Sequence, residues 1–112
     1  MWTPDPSKII TAQQKAELAL AALEAQFSGV IQSHMDDTAR SRRYDGIHAA
    51  ISYRDDPNPQ YAAEAQALFL WRSAVWTYSY AELDKVKTGL RGIPSLEDFI
   101  AELPHVVWPD HQ

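Results

Sequence analysis

With 112 residues, 46% of them apolar and 22% charged, the chain is sized and composed for one folded domain, too short for two cores and too apolar for wholesale disorder. The lack of cysteine excludes a disulfide scaffold, a thiolate metal site and a cysteine nucleophile. Ten basic against fifteen acidic side chains leave a formal net charge of -5, which argues against a sequence-independent nucleic-acid binder and its basic face.

No run of about 20 apolar residues predicts a membrane span. The opening Met1-Trp2-Thr3-Pro4-Asp5-Pro6 lacks the basic and apolar regions of a signal peptide, so a cytoplasmic location is expected. Residues 1–10 read as an extended leader. The first helix begins after Thr11, whose hydroxyl can cap the first turn, with Gln14 completing a capping-box pattern. Ala16, Leu20, Leu23, Phe27 and Val30 follow as one apolar stripe. Gly29 and the polar run from Gln32 to Asp37 blur its end, so Val30–Met35 reads either as helix or as a short extended piece.

A second helix is expected from Thr38 to Tyr53, capped by Asp36 or Asp37, with Tyr44, Ile47 and Ile51 sharing a face. Arg40, Arg42 and Arg43 crowd its start, where the helix dipole is unfavourable to cations, and Asp36, Asp37 and Asp45 offset them. Arg54–Pro59 is a turn. The third helix runs from Gln60 to Lys87 without glycine or proline and stops at Gly89. Tyr61, Ala65, Leu68, Val75, Leu83 and Val86 form one stripe along it. Leu70, Trp71, Ala74, Tyr78 and Ala81 form a second, rotated from the first. A helix apolar on more than one side is central in its domain or shared with a partner.

Ser95 caps a short fourth helix whose buried edge is Leu96, Phe99, Ile100 and Leu103, ended by Pro104. His105–Pro109 reads as an apolar extended tail packed on the rest. No alternating run of strand length occurs. The expected fold class is therefore all-α: one domain over residues 1–112, a compact bundle of three to four helices with an extended tail at 104–112.

Motifs for chemistry are sparse. His34, Asp36 and Asp37 supply three potential metal ligands, but no HExxH accompanies them, and they read as a solvated cap cluster. Ser28 and Ser95 lack the strand-turn-helix context of an activated serine. The glycines at 29, 46, 89 and 92 make no phosphate loop. The expectation is no enzyme, no cofactor and no metal. The arginines at 40, 42 and 43 read as a solvated or salt-bridged face, with no nucleic acid or membrane as partner.

Aromatic residues carry the information. Trp71, Trp76, Tyr78 and Tyr80 fall within ten residues of one helix, spread around its circumference. Such side chains dominate interface hot spots because they are large, rigid and polar at one tip. Either the helix is simply the buried central one, or it meets a partner or a second copy of itself. With Arg72 as a charged anchor, Trp71, Arg72, Trp76, Tyr78 and Tyr80 are the candidate partner-binding residues.

A longer pattern adds to this. Arg43-Tyr44-Asp45-Gly46-Ile47-His48-Ala49-Ala50, then Ser52-Tyr53 and Asn58-Pro59-Gln60, precede Ala63-Glu64-Ala65-Gln66-Ala67 and Trp71-Arg72-Ser73-Ala74-Val75-Trp76-Thr77-Tyr78. Pro94-Ser95-Leu96, Glu102-Leu103-Pro104 and Val107-Trp108-Pro109 close the series. Over residues 37 to 109 the chain resembles small proteins of the bacteriophage and prophage tail-gene region, and the helical C-terminal domain of some tail-fibre assembly proteins. The resemblance implies a non-catalytic tail-fibre assembly factor or chaperone, working in the bacterial host cytoplasm with the tail fibre or a tail protein as partner. A structural virion component of the distal tail or baseplate, or a small homo-oligomeric interaction protein, are the alternatives. It brings no catalytic or cofactor residues.

Overall fold

The computed structural model describes residues 11–109; the leader expected over 1–10 and the final residues of the tail, 110–112, lie outside them. The described residues form an all-α fold of four helices, α1 (Ala12–Arg40), α2 (Ile47–Ile51), α3 (Pro59–Lys87) and α4 (Leu96–Glu102).

At the start of α1, Thr11 Oγ1 accepts the Gln14 N–H at 3.1 Å while Gln14 Oε1 accepts the Thr11 N–H at 3.0 Å. The capping box expected there is thus closed in both directions. The helix then continues unbroken through Gly29 and the polar run. This removes the extended piece considered for Val30–Met35 and cuts the second helix expected from Thr38 to Tyr53 back to α2, since Thr38 to Arg40 still belong to α1. Ile31, Met35 and Ala39 recur every four residues and are all buried, so one face of the polar run is as apolar as a core helix requires.

The chain reverses after Arg40. Arg43, with φ 73, takes the left-handed conformation uncommon outside glycine. Asp36 does act as a cap, but across space: its carboxylate accepts the Ile47 N–H at 2.9 Å and so serves the first residue of α2. Gly46 permits the approach, since a Cβ there would lie 3.0 Å from Asp36 Oδ1. Asp37 pairs instead with Arg40 on the exposed surface.

Asn58 Oδ1 accepts the N–H groups of Gln60 and Tyr61 at 2.9 and 3.3 Å, with Pro59 as the first helical residue of α3. At the other end Gly89, φ 77, closes a Schellman motif: the Leu90 N–H reaches Lys85 O at 2.8 Å and the Gly89 N–H reaches Val86 O at 3.2 Å.

The two long helices run antiparallel. Arg42, just past the end of α1, bonds Glu64 near the start of α3, His34 meets Trp71 edge-on, and Leu23 shares a groove with Leu83. Between them lies a core of Ile31, Met35, Ile47, Leu68, Trp71 and Val75. Phe99 of α4 completes it, its ring 5.5 Å from Phe27 in a T-shaped contact.

The tail after Pro104 carries no helix or strand in its described part, and its side chains alternate. Val106 and Trp108 pack on the core while His105 and Val107 face outward.

One buried charge sits in this frame. Glu64, 6% exposed, accepts hydrogen bonds from Arg42 at 2.9 Å, from the Tyr44 hydroxyl at 2.8 Å and from Gln60 at 3.1 Å. Burial, together with the bond to Glu64, raises the Tyr44 phenol above its ordinary range.

Asp36→Ala should cost about 1 kcal/mol by urea unfolding, because the start of α2 loses its cap. Asp36→Asn, which keeps an acceptor oxygen, should retain most of that stability.

Candidate functional site

Trp76 and Tyr80 stand one turn apart on α3, where side chains four residues apart meet. Their rings lie 5.9 Å apart at an interplanar angle of 30°. Tyr80 is 56% exposed and Trp76 half-buried. The pair forms a ridge with a concavity on either side, for both rings line both.

On one side is an apolar groove between α1 and the C-terminal half of α3. Leu23, Phe27, Leu83, Val86 and Phe99 line it, with Glu24, Glu82 and Arg91 at its polar edge.

On the other side is a more open cleft with a more polar lining. Gln32 of α1, His48 of α2, and Arg72, Ser73 and Thr77 of α3 line it with the two ridge aromatics and Phe69. Arg72 Nη1 lies 3.4 Å from His48 Nδ1. The lining supplies a guanidinium, an imidazole, hydroxyls and an amide, and no carboxylate. Such a surface is suited to a partner that presents acceptor groups, a carboxylate above all, beside an apolar segment.

The five candidate residues divide in two. Arg72, Trp76 and Tyr80 share this surface. Trp71 does not: it is 5% exposed and its indole Nε1–H donates to the Pro104 carbonyl at 2.6 Å, which pins the tail to α3. Tyr78 is half-buried on the flank facing α4, where its hydroxyl donates to Glu102 at 2.6 Å and its ring lies 6.0 Å from Phe99.

Tyr78 belongs to a clamp that fixes α4. Arg91 bridges Glu82 and Glu102, and Lys85 also pairs with Glu82 at 2.8 Å. The hydrogen bond to Glu102 raises the Arg91 guanidinium further above its ordinary range. Glu102 is held below the usual carboxylate range by Arg91, then by Tyr78, and Glu82 by Lys85 and Arg91. The bond to Glu102 raises the Tyr78 phenol.

His48 and Gln32 are parts of this region that the sequence did not place at a binding surface, and Leu23 and Val86, read there only as members of apolar stripes, are groove walls. His48 follows Gly46-Ile47, and only the turn at Arg43 folds it back against α3. Of the second apolar stripe expected on α3, Leu70 is 58% exposed, and Ala74 and Ala81 are exposed too.

The possible metal ligands do not converge. His34 meets Trp71 edge-on, Asp36 caps α2 and Asp37 pairs with Arg40. Among the described residues no group of three or more His, Asp or Glu could hold a metal ion, and no helix is long and apolar enough to cross a membrane. No family model, curated protein or solved structure matches the chain.

This division is measurable. Trp71→Ala should cost about 3–5 kcal/mol in urea unfolding, as for a large buried aromatic. Tyr80→Ala should change stability by no more than about 0.5 kcal/mol, as for an exposed side chain.

Proposed function

We propose that this chain is a non-catalytic docking protein of bacteriophage tail assembly, a tail-fibre assembly factor that binds the fibre through Arg72, Trp76 and Tyr80. The supporting observation is the stacked Trp76–Tyr80 ridge, which leaves a large aromatic surface open beside an arginine with no carboxylate in its cleft. The resemblance of residues 37–109 supplies the fibre as partner.

The physics of fibre assembly gives such a surface a task. A long fibre folds through states with unpaired strand edges and exposed apolar surface, which are prone to aggregate. Rigid aromatics bury much area at small entropic cost, and Arg72 adds a planar donor that selects carboxylate or carbonyl groups. A chain of net charge -5 that covers this surface also keeps the complex soluble. Trp71 and Tyr78 act indirectly, by holding the tail and α4 so that α3 keeps its position.

Co-expression with a bacteriophage tail-fibre protein from the same genome tests the proposal. Soluble trimeric fibre should depend on this chain and co-purify with it. Trp76→Ala or Tyr80→Ala should weaken binding at least about 30-fold, the equivalent of about 2 kcal/mol. Fibre that is equally soluble without the chain, and that does not co-purify with it, would refute the reading.

A further inference from the structure

Phe69 lines the cleft of His48 and Arg72, and a second arginine stands over it. The Arg54 guanidinium lies 4.1 Å from the centroid of the Phe69 ring. Such stacking uses the flat face of the group and leaves its N–H edge free to bond. Arg54 is exposed in the turn after α2 and makes no ion pair among the described residues. Asp55 and Asp56 follow it, but Asp56 accepts the Asn58 N–H at 2.9 Å and neither pairs with Arg54. Arg72, one turn on from Phe69, reaches His48 Nδ1. A guanidinium can only donate, so the ring accepts at Nδ1 and keeps its proton at Nε2, a further donor. Asp36, bonded to Gln32 of the cleft wall at 3.3 Å, is spent on the Ile47 N–H.

The charge along this face changes sign. Phe69, Arg72, Trp76 and Tyr80 recur at spacings of three and four residues along α3, one row about 16 Å long at the helical rise. Its first half carries the two arginines and His48, its second half the two ridge aromatics. Past Tyr80 come carboxylates. Glu24 and Glu82 edge the apolar groove, Glu82 paired with Lys85 and Arg91, Glu24 with no ion pair among the described residues. The face is therefore cationic, then aromatic, then anionic at its far edge.

We propose that the segment docking here is a stretch of polypeptide acidic at one end and apolar at the other. Two of its carboxylates meet the N–H edges of Arg54 and Arg72, with His48 as a third donor, and large apolar side chains beside them lie on Trp76 and Tyr80. This rests on the docking reading of the same face and names the chemistry of what docks. Charge decides between a peptide and a nucleic acid, whose bases would also stack on the aromatics. A nucleic-acid strand repeats its phosphate at every nucleotide, so it would carry charge past Tyr80 to Glu24 and meet a chain of net charge -5. A peptide can place its charge at one end only. Planar guanidinium forks match carboxylates two bonds at a time, which fixes the end at which the acidic residues sit.

Nuclear magnetic resonance titration of the isotope-labelled full chain, with no fibre present, tests this. The probes are acetyl-Asp-Glu-Leu-Phe-amide, its reversed sequence, and the uncharged counterparts of both with Asn and Gln. One acidic peptide should shift the Arg54, Arg72 and His48 side-chain resonances saturably and bind about tenfold or more tighter than its uncharged counterpart. Arg54→Gln and Arg72→Gln should each remove most of that preference, with helical circular dichroism retained. Lys87→Gln, at the exposed end of α3 outside the cleft, should leave it intact. Fibre that fails to bind while the peptides discriminate would remove the fibre as partner and leave the acidic segment standing. Fibre that binds while the peptides show no preference would overturn the acidic segment alone. No saturable shift at millimolar acidic peptide, a preference that survives both arginine variants, or a short oligothymidylate that binds more tightly than either acidic peptide would equally overturn the proposal.

Discussion

Cover for α3 is the constraint on which the rest of this molecule depends. The helix has 29 residues, about 43 Å at the helical rise, and large apolar side chains project from more than one side of it. The chain has one other long helix to set against it. The remaining cover comes from α2, with 5 residues, α4, with 7, and the tail after Pro104. Burying apolar surface is worth roughly 25 cal/mol per Å², so the short elements complete one core with Leu68, Trp71 and Val75, α2 packing on both long helices and α4 on α1. On the flank of Trp76 and Tyr80 the cover runs out, leaving Tyr80 and Leu70 each more than half exposed.

Polar contacts decide where the short elements sit. Elements of five and seven residues have little helical stability of their own, and each is tied down by bonds to distant residues. Asp36 of α1 caps α2. Arg91, Glu82, Glu102 and Tyr78 lock α4 onto α3. The Trp71 indole holds the tail, and Glu64 ties the end of α1 to the start of α3 through Arg42 and Tyr44. A buried carboxylate adds little net stability, since its desolvation offsets its pairing. What Glu64 does is tie the start of α3 to the end of α1, through Arg42 and Tyr44, while its third donor, Gln60, lies on α3 itself. The exposed ridge is thereby held on a rigid support, as a docking surface requires.

Local signals were legible and long-range ones were not. Thr11 with Gln14, Gly89 and Ser95 each mark a helix end by chemistry confined to a few neighbouring residues, and each mark is where the structure has it. The end of α1 was obscured because Gln32, Ser33, Asp36 and Asp37 look like a break. Their polarity masks the spacing of Ile31, Met35 and Ala39, which keeps one face buried. The turn at Arg43 had no glycine or asparagine to announce its positive φ. Glu64 lies in an alanine-rich stretch that looks like a solvated face, and its donors come from 20 and 22 residues away. The sorting of the α3 aromatics was equally hidden: the buried Trp71 donates its indole N–H to a carbonyl 33 residues downstream, a partner that no helical periodicity can reveal.

The four tryptophans of the chain offer a direct view of this sorting through 19F NMR of 5-fluorotryptophan-labelled protein, with resonances assigned by Trp→Phe substitution. The Trp76 resonance should show a solvent isotope shift in the free protein and should move when fibre is added. The Trp71 resonance should show neither change. A Trp76 signal insensitive both to solvent and to fibre would mean that the fold already hides this face, contradicting the account.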